Sequence, residues 1–256
     1  MPPTPDNRRF YEETVFDLWA SRTSLTDTEE ILVDRFLDAR GSTLEAGTGA
    51  GRILLELRER GFGDIHGFDY VPGFIDVAKN RDASGSLEFT VQDAVDLDYP
   101  DARFEQAIYL QQVLCFINHP ADRFRAMREA SRVLRPGGTA LFSFLCYEAR
   151  VKRALYAVFT TYLRVHRLLR HRDISLQYQP WLKSGTRPNL GALADRRPYV
   201  YWYRFREALD ALDRAGFGVV WAGSTAQVLQ DPTAYDPRRL DPSVLDGMLF
   251  VACRRK

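Results

Sequence analysis

Cysteine is scarce. The chain of 256 residues has three, Cys115, Cys146 and Cys253, far apart and each in or beside an apolar run. They form no C-x-x-C pair, and the four histidines add no companion spacing. That excludes a disulfide framework and the common zinc patterns, so no metal is expected. The cysteines read as small, reduced core residues. Excess charge is missing too: 35 Lys and Arg stand against 34 Asp and Glu, a net +1. A whole-chain nucleic-acid footprint is therefore not expected. No apolar run is long enough to span a bilayer. The start, Met1-Pro2-Pro3-Thr4-Pro5-Asp6, lacks the basic and apolar regions of a signal peptide, so a cytoplasmic protein is expected. Repeats and low-complexity tracts are absent as well. The 45% hydrophobic and 27% charged fractions are ordinary for a globular chain.

Strand and helix signals alternate from residue 42 to residue 145. Strands are expected at Thr43–Ala46, Ile65–Asp69, Leu87–Val91, Phe104–Leu110 and Thr139–Leu145. Helices are expected from about Arg52 to Arg60, from Pro72 onward and from Ala121 to Leu134, the last stopping at Pro136-Gly137-Gly138. Apart from Glu105 and Gln106, Phe104–Leu110 is apolar, as suits a parallel strand buried on both faces. Between Tyr147 and Tyr203 the alternation stops. It resumes with a helix Phe205–Ala215 and strands Val219–Ala222 and Met248–Cys253. Three Asp-Pro pairs, at 231–232, 236–237 and 241–242, mark a surface loop between those strands. The expected fold is α/β: a Rossmann-like, seven-stranded, mostly parallel sheet with helices on both faces, its last strand antiparallel. The expected organisation is a core of residues 1–146 and 204–256, in which 1–40 form a helical cover, with an insertion at 147–203.

In such a sheet, ligands bind beyond the carboxyl ends of the strands. After the first strand comes Glu45-Ala46-Gly47-Thr48-Gly49-Ala50-Gly51-Arg52, with glycine at alternate positions. A dinucleotide loop reads G-x-G-x-x-G. Here the third glycine comes one residue early, and Glu45 suits a cation better than a pyrophosphate. The second strand ends in Asp69, at the distance where a carboxylate accepts ribose hydroxyls. Gln92-Asp93-Ala94 follows the third strand, where an Asp can accept from an adenine amino group. Leu110-Gln111-Gln112 follows the fourth.

Taken in order, these motifs resemble those of the class I S-adenosylmethionine-dependent methyltransferases. Glu45 to Gly51, Gly67-Phe68-Asp69, Gln92-Asp93-Ala94 and the helix end Glu129 to Gly138 carry the resemblance. It implies S-adenosylmethionine as cofactor and S-adenosylhomocysteine as product. It also implies that Glu45, Gly47, Thr48, Gly49 and Gly51 hold the methionine part. Asp69 would hold the ribose, with Tyr70 and Phe74 near the adenosine. Gln92, Asp93 and Ala94 would meet the adenine, and Leu110 and Gln111 the sulfonium end. Tyr11, in a segment before the first strand, would fold over the cofactor. One departure stands out: many relatives carry histidine near the position of Leu114-Cys115-Phe116, where this chain has none until His119.

Val151, Leu155, Val158, Tyr162, Val165 and Leu169 alternate steps of four and three, which predicts one long helix with a single apolar face. The expectation is that this face packs on the domain and the basic residues are solvated. A membrane-surface contact by residues 150–170 and a dimer seam are the alternatives. The aromatics Tyr147, Tyr178, Trp181, Tyr201 and Trp202 are the expected wall of an acceptor pocket. His119 and His166 are the candidate bases. Together these readings give a methyltransferase acting on an oxygen or nitrogen of a small, aromatic or hydrophobic acceptor. A nicotinamide-dependent oxidoreductase and a catalytically silent cofactor-binding module are the alternatives. The oligomeric state is left open.

Overall fold

A computed structural model describes residues 5–184, 187–230 and 240–256. The Asp-Pro pairs at 231–232 and 236–237 lie outside the described residues. Three helices lead in: α1 (Pro5–Glu13), α2 (Phe16–Ala20) and α3 (Asp27–Phe36). The alternating core follows as β1 (Thr43–Ala46), α4 (Arg52–Glu59), β2 (Ile65–Asp69), α5 (Pro72–Arg81), β3 (Glu88–Val91), β4 (Phe104–Tyr109), α6 (Pro120–Val133) and β5 (Leu134–Leu145). Next come α7 (Tyr147–Val151), α8 (Ala154–Leu169), β6 (Tyr178–Pro180), β7 (Lys183–Ser184), β8 (Arg187–Pro188) and β9 (Tyr199–Tyr201). The chain closes with α9 (Phe205–Arg214), β10 (Phe217–Ser224), α10 (Thr225–Gln230) and β11 (Met248–Arg255).

Seven strands form one sheet in the order β10-β11-β5-β4-β1-β2-β3. β1, β2, β3, β4 and β5 run parallel, and β11 inserts antiparallel between β5 and β10. Every residue of β1 and β2 is buried, including the polar Thr43, Glu45, His66 and Asp69, as expected for central strands covered on both faces. One face of the sheet packs on Leu32, Ile53, Leu54, Leu57 and Ile75. The other packs on Met127, Ala130, Phe205, Ala208 and Leu212. The sheet order reverses at β1, between β4 and β2, and a ligand crevice belongs there.

Two local differences from the sequence expectation have simple causes. β5 starts directly at Leu134 and runs through Pro136-Gly137-Gly138, because Leu134 already pairs with Phe104. The ladder to β4 then shifts register before Gln106 meets Thr139. The proline-glycine turn is thus an irregular start to the strand. After β10 the chain forms α10, where the sequence predicts only loop.

The long insertion helix is corrected in two ways. It breaks at Lys152-Arg153 into α7 and α8. The apolar stripe is also on the outside: Leu155, Val158, Tyr162, Val165 and Leu169 are exposed, and α8 buries Thr160, Leu163 and Arg167 instead. Arg167 decides the orientation. Its guanidinium makes two hydrogen bonds to Asp195, at 2.9 and 2.7 Å, and donates to the carbonyls of Ser175 and Tyr178 at 2.8 and 2.7 Å. Arg172 reaches the same carboxylate at 2.9 Å. Asp195 is the anchor of the insertion, and its removal leaves two arginines without their shared counter-charge. Asp195→Ala is expected to destabilise the folded chain by about 3–5 kcal/mol, the range for breaking a buried ion pair. Chemical denaturation of the two proteins measures it.

Candidate functional site

The loop after β1 passes under the end of β2. Gly47, Gly49 and Gly51 all have positive φ. At Gly51, the N-cap of α4, a Cβ would lie 2.9 Å from Phe89 and 3.1 Å from Ala78. This glycine lets α4 close on α5 and β3. Around Gly49 an added Cβ would meet nothing within 4 Å. Its N–H instead donates to Asp69 Oδ2 at 3.0 Å, and the Val71 N–H donates to Oδ1 at 3.0 Å. Each carboxylate oxygen therefore keeps acceptor capacity for a further partner.

Thr48 donates its hydroxyl to Glu45 Oε2 at 2.7 Å. Beneath it, Arg52 binds Glu29 through both terminal nitrogens, at 2.8 and 2.6 Å, and donates to the Ser24 carbonyl at 2.9 Å. Gln111 also donates to Glu29. Gln111 and Gln112 both have left-handed backbones, with φ of 60° and 65°. Strain of that kind costs about 1–3 kcal/mol per residue and persists where the surroundings hold it. Here the Gln112 N–H is fixed by Ser143 Oγ at 2.9 Å.

Burial dominates the site's electrostatics. It pushes the Glu45 carboxyl up to about 8, against the lowering effect of Thr48 and Arg52 and with further upward pressure from Glu29 and Asp69. Burial likewise raises Asp69 to about 6, although three backbone N–H bonds work the other way. Asp93 is raised for the same reason. Burial would raise Glu29 too, but the hydrogen bonds and charge of Arg52 outweigh it and hold this carboxyl below its usual range.

Glu45, Asp69 and Asp93 line a cavity of about 400 Å³ together with Arg52 and Gln111, and Glu29 lies behind them. Among the expected cofactor residues, Tyr11, Glu45, Gly47, Thr48, Gly49, Asp69, Tyr70, Phe74, Gln92, Asp93, Ala94 and Gln111 border it, and His119 does so as well. Gly51 sits just behind, in contact with Phe89. Leu110 is corrected: it is a buried core residue, packed with Ile53 and Leu141, and does not border the cavity. His166 is corrected too. It lies on α8 beside Tyr162, ring centroids 5.6 Å apart, away from the cavity.

The acceptor aromatics divide differently from the expectation. Trp181 stacks on Phe116 at 5.1 Å, and Phe116 borders the cavity, so Trp181 backs the wall. Tyr147, Tyr178, Tyr201 and Trp202 do not border it. Their faces are occupied by arginines. Arg123 lies 3.7 Å from the Tyr201 ring and 5.3 Å from Tyr178; Arg150 lies 3.9 Å from Trp202; Arg204 lies 5.1 Å from Tyr147. Cation–π packing holds these rings against the fold.

Several lining residues are not evident from the sequence. Asn7 and Trp19 come from the N-terminal helices, and Asn118 and Asp122 from the start of α6. The Asn7 amide nitrogen donates to the Phe116 carbonyl, and its Oδ1 is buried with no hydrogen-bond partner among the described residues. No local pattern marks Asn7. The polar cluster Asn118-His119-Pro120 is a usable signal, because it follows a strand that points at the crevice.

A glycine turn between strand and helix, a strand-end carboxylate and a sheet whose last strand is reversed define a Rossmann-like protein of the methyltransferase type. Residues 44–142 match the family described as the methyltransferase domain. The chain is 38% identical over 101 residues to a demethylmenaquinone methyltransferase of Deinococcus radiodurans, covering 37% of this chain and 39% of the relative. It is 29% identical over 141 residues to the 27-O-demethylrifamycin SV methyltransferase of Amycolatopsis mediterranei, covering 53% and 50%. It thus spans half or less of these relatives' length. A solved S-adenosylmethionine-dependent methyltransferase of Methanosarcina mazei superposes with a TM-score of 0.65 at 18% identity, over 91% of this chain and 98% of that one. Residues 44–142 thus match a methyltransferase domain, the solved structure shows the same fold, and S-adenosylmethionine is the cofactor that this domain implies. The match to a methyltransferase domain favours methyl transfer over the nicotinamide alternative.

The cavity fits that cofactor. The buried carboxylates of Glu45 and Asp69 gain from a cation and from hydroxyl donors, and Asn7 Oδ1 offers a spare acceptor. The raised Glu45 gives a pH test. Folded, it holds its proton to about 8; unfolded, it releases it near 4.5. The stability it contributes is therefore complete below pH 4.5 and lost as pH rises through 8. Glu45→Gln cannot ionise. Without cofactor, its Tm is expected to rise relative to wild type between about pH 5 and pH 8; thermal melts at stepped pH measure the difference.

Proposed function

We propose that this chain transfers the methyl group of S-adenosylmethionine to an oxygen or nitrogen of a small, hydrophobic acceptor. The observation that carries the reading is Asp69: a buried carboxylate at the switch point, clamped by Gly49 and Val71 and still able to accept two hydroxyl protons. When bound, the cofactor supplies an electrophilic methyl on a sulfonium. Asp69 accepts from the ribose hydroxyls, and Asp93 accepts from the adenine amino group. Glu45 and Gln111 hold the amino-acid end. Phe74, itself stacked on Phe16 at 4.7 Å, packs along the adenosine with Tyr11.

Val113, Phe116, Ile117, Asn118, His119 and Asp122 form the remaining wall. The apolar part of that wall suits a hydrophobic acceptor. His119 is the one imidazole bordering the cavity among the described residues, and it is our candidate for taking the acceptor's proton. The main contribution of the protein is orientation, since holding the two reactants in line removes much of the entropic barrier. The two relatives, named for a demethylated quinone and a demethylated rifamycin, are compatible with an acceptor of this type.

Isothermal titration with S-adenosylmethionine tests the reading. Wild type is expected to bind it, and Asp69→Ala to bind about ten- to a hundredfold more weakly, as befits the loss of charged hydrogen bonds. No heat of binding, or a variant equal to wild type, rejects the assignment. Transfer of labelled methyl to phenols, amines or carboxylic acids then separates an enzyme from a silent cofactor-binding module.

A further inference from the structure

The outer face of α8 is an exposed apolar stripe that does not pack on the core. Leu155 and Leu169 are 76% and 75% exposed at the two ends of the stripe, with Val158, Tyr162 and Val165 between them. The stripe is opposite the face that buries Thr160, Leu163 and Arg167. It also widens sideways: the Tyr162 hydroxyl donates to the Leu193 carbonyl, which brings the exposed Leu190 and Leu193 of the neighbouring 3-10 turn beside it. Sixteen residues of helix extend about 24 Å. No described helix is long and apolar enough to cross a membrane, so a contact made by this stripe lies along a surface.

Charge selects the occupant. Ala149 to Arg172 contains seven Lys and Arg residues and no Asp or Glu. Arg167 and Arg172 are committed to Asp195, Arg150 to its aromatic neighbours, and Arg153 is 3.4 Å from Asp246. Lys152 donates to the Leu245 carbonyl at 2.8 Å and keeps its charge at the surface. Lys152, Arg164 and Arg170 are exposed around the stripe; Arg164 and Arg170 make no ion pair among the described residues, and Lys152 shares its charge only with the exposed Asp241. A second copy seated on this face would press one net-basic helix, itself without Asp or Glu, against another, which costs rather than stabilises. An anionic lipid surface supplies both missing halves: acyl chains for the leucines and valines, and negative headgroups for the flanking cations.

We infer that α8, with Leu190 and Leu193, is a docking surface for anionic membranes. The helix lies in the interface plane with its apolar stripe inserted and Lys152, Arg164 and Arg170 at headgroup level. The inference is independent of methyl transfer. It concerns a surface with no cavity residue, so it can stand or fall separately from the proposed activity.

Flotation of the full chain with vesicles of phosphatidylglycerol and phosphatidylcholine tests it, beside vesicles of phosphatidylcholine alone. The expected result is binding to the anionic vesicles that weakens steeply with added salt, little binding to the neutral ones, and at least a tenfold weaker partition, to order of magnitude, for the double variant Leu155→Asp with Leu169→Asp. Both residues are exposed, so the variant should keep the wild-type Tm and cofactor affinity; a drop in either moves the test to Val158→Asp with Val165→Asp, judged by the same criteria. Absent binding, equal binding to neutral vesicles, or undiminished binding of the folded variant overturns the inference. So does light scattering that shows a wild-type dimer and a monomeric variant, which would give the face to a second copy.

Discussion

The carboxylate of Asp69 fixes the geometry on which the site depends. One oxygen holds the Gly49 N–H at 3.0 Å and the other holds Val71. The first bond ties the loop after β1 to the end of β2; the second shapes the entry to α5. A loop with three glycines has many accessible shapes, and this bond selects one of them. It requires a carboxylate removed from water, visible in its upward shift to about 6. A ligand with two hydroxyls offsets that desolvation, so the feature that organises the free protein is also the one that most favours the ligand in the proposed reading.

A second constraint links this site to the N-terminal helices. Glu29 sits on α3, whose first turn it caps by accepting from the Thr26 N–H at 2.8 Å. The same carboxylate binds Arg52 of α4 and Gln111 after β4. Three elements distant in sequence thus converge on one buried acid. Arg52 stands where a dinucleotide loop would carry its last glycine. Its contacts explain the side chain: it neutralises Glu29 while its charge lowers Glu45 from below. The arginine makes the acidic floor of the cavity tolerable.

Much of this is legible in the chain because the relevant signals are local. Glycines at alternate positions, Asp69 at a strand end and Gln92-Asp93-Ala94 after the next strand each need only a few neighbours to be read, and the sheet then brings them together at its switch point. Leu110 misses the cavity by a single residue: β4 ends at Tyr109, Leu110 still points into the core, and Gln111 is the first to turn toward the cavity. Asn7, Trp19 and Glu29 are invisible in the sequence because their roles depend on where three N-terminal helices pack, which no periodicity encodes. The insertion's aromatics mislead for a related reason. Tyr201 and Trp202 look like a ligand wall until Arg123 and Arg150, remote in sequence, are seen to lie on their faces.

Helix α8 shows why an amphipathic pattern does not by itself say which side faces inward. A solvated basic face and a packed apolar face is the usual solution because desolvating an arginine is costly. Here Asp195, fully buried, accepts from Arg167 and Arg172, and the carbonyls of Ile174, Ser175 and Tyr178 take the remaining Arg167 protons. With every donor of that guanidinium directed to an acceptor, the polar side of α8 can be buried. The apolar side must then point outward, because the two faces are half a turn apart on the same helix. One aspartate, twenty-eight residues downstream of Arg167, therefore reverses the orientation that hydropathy alone predicts. The exposed stripe is the consequence of a satisfied ion pair on the opposite face, and not a failure of packing.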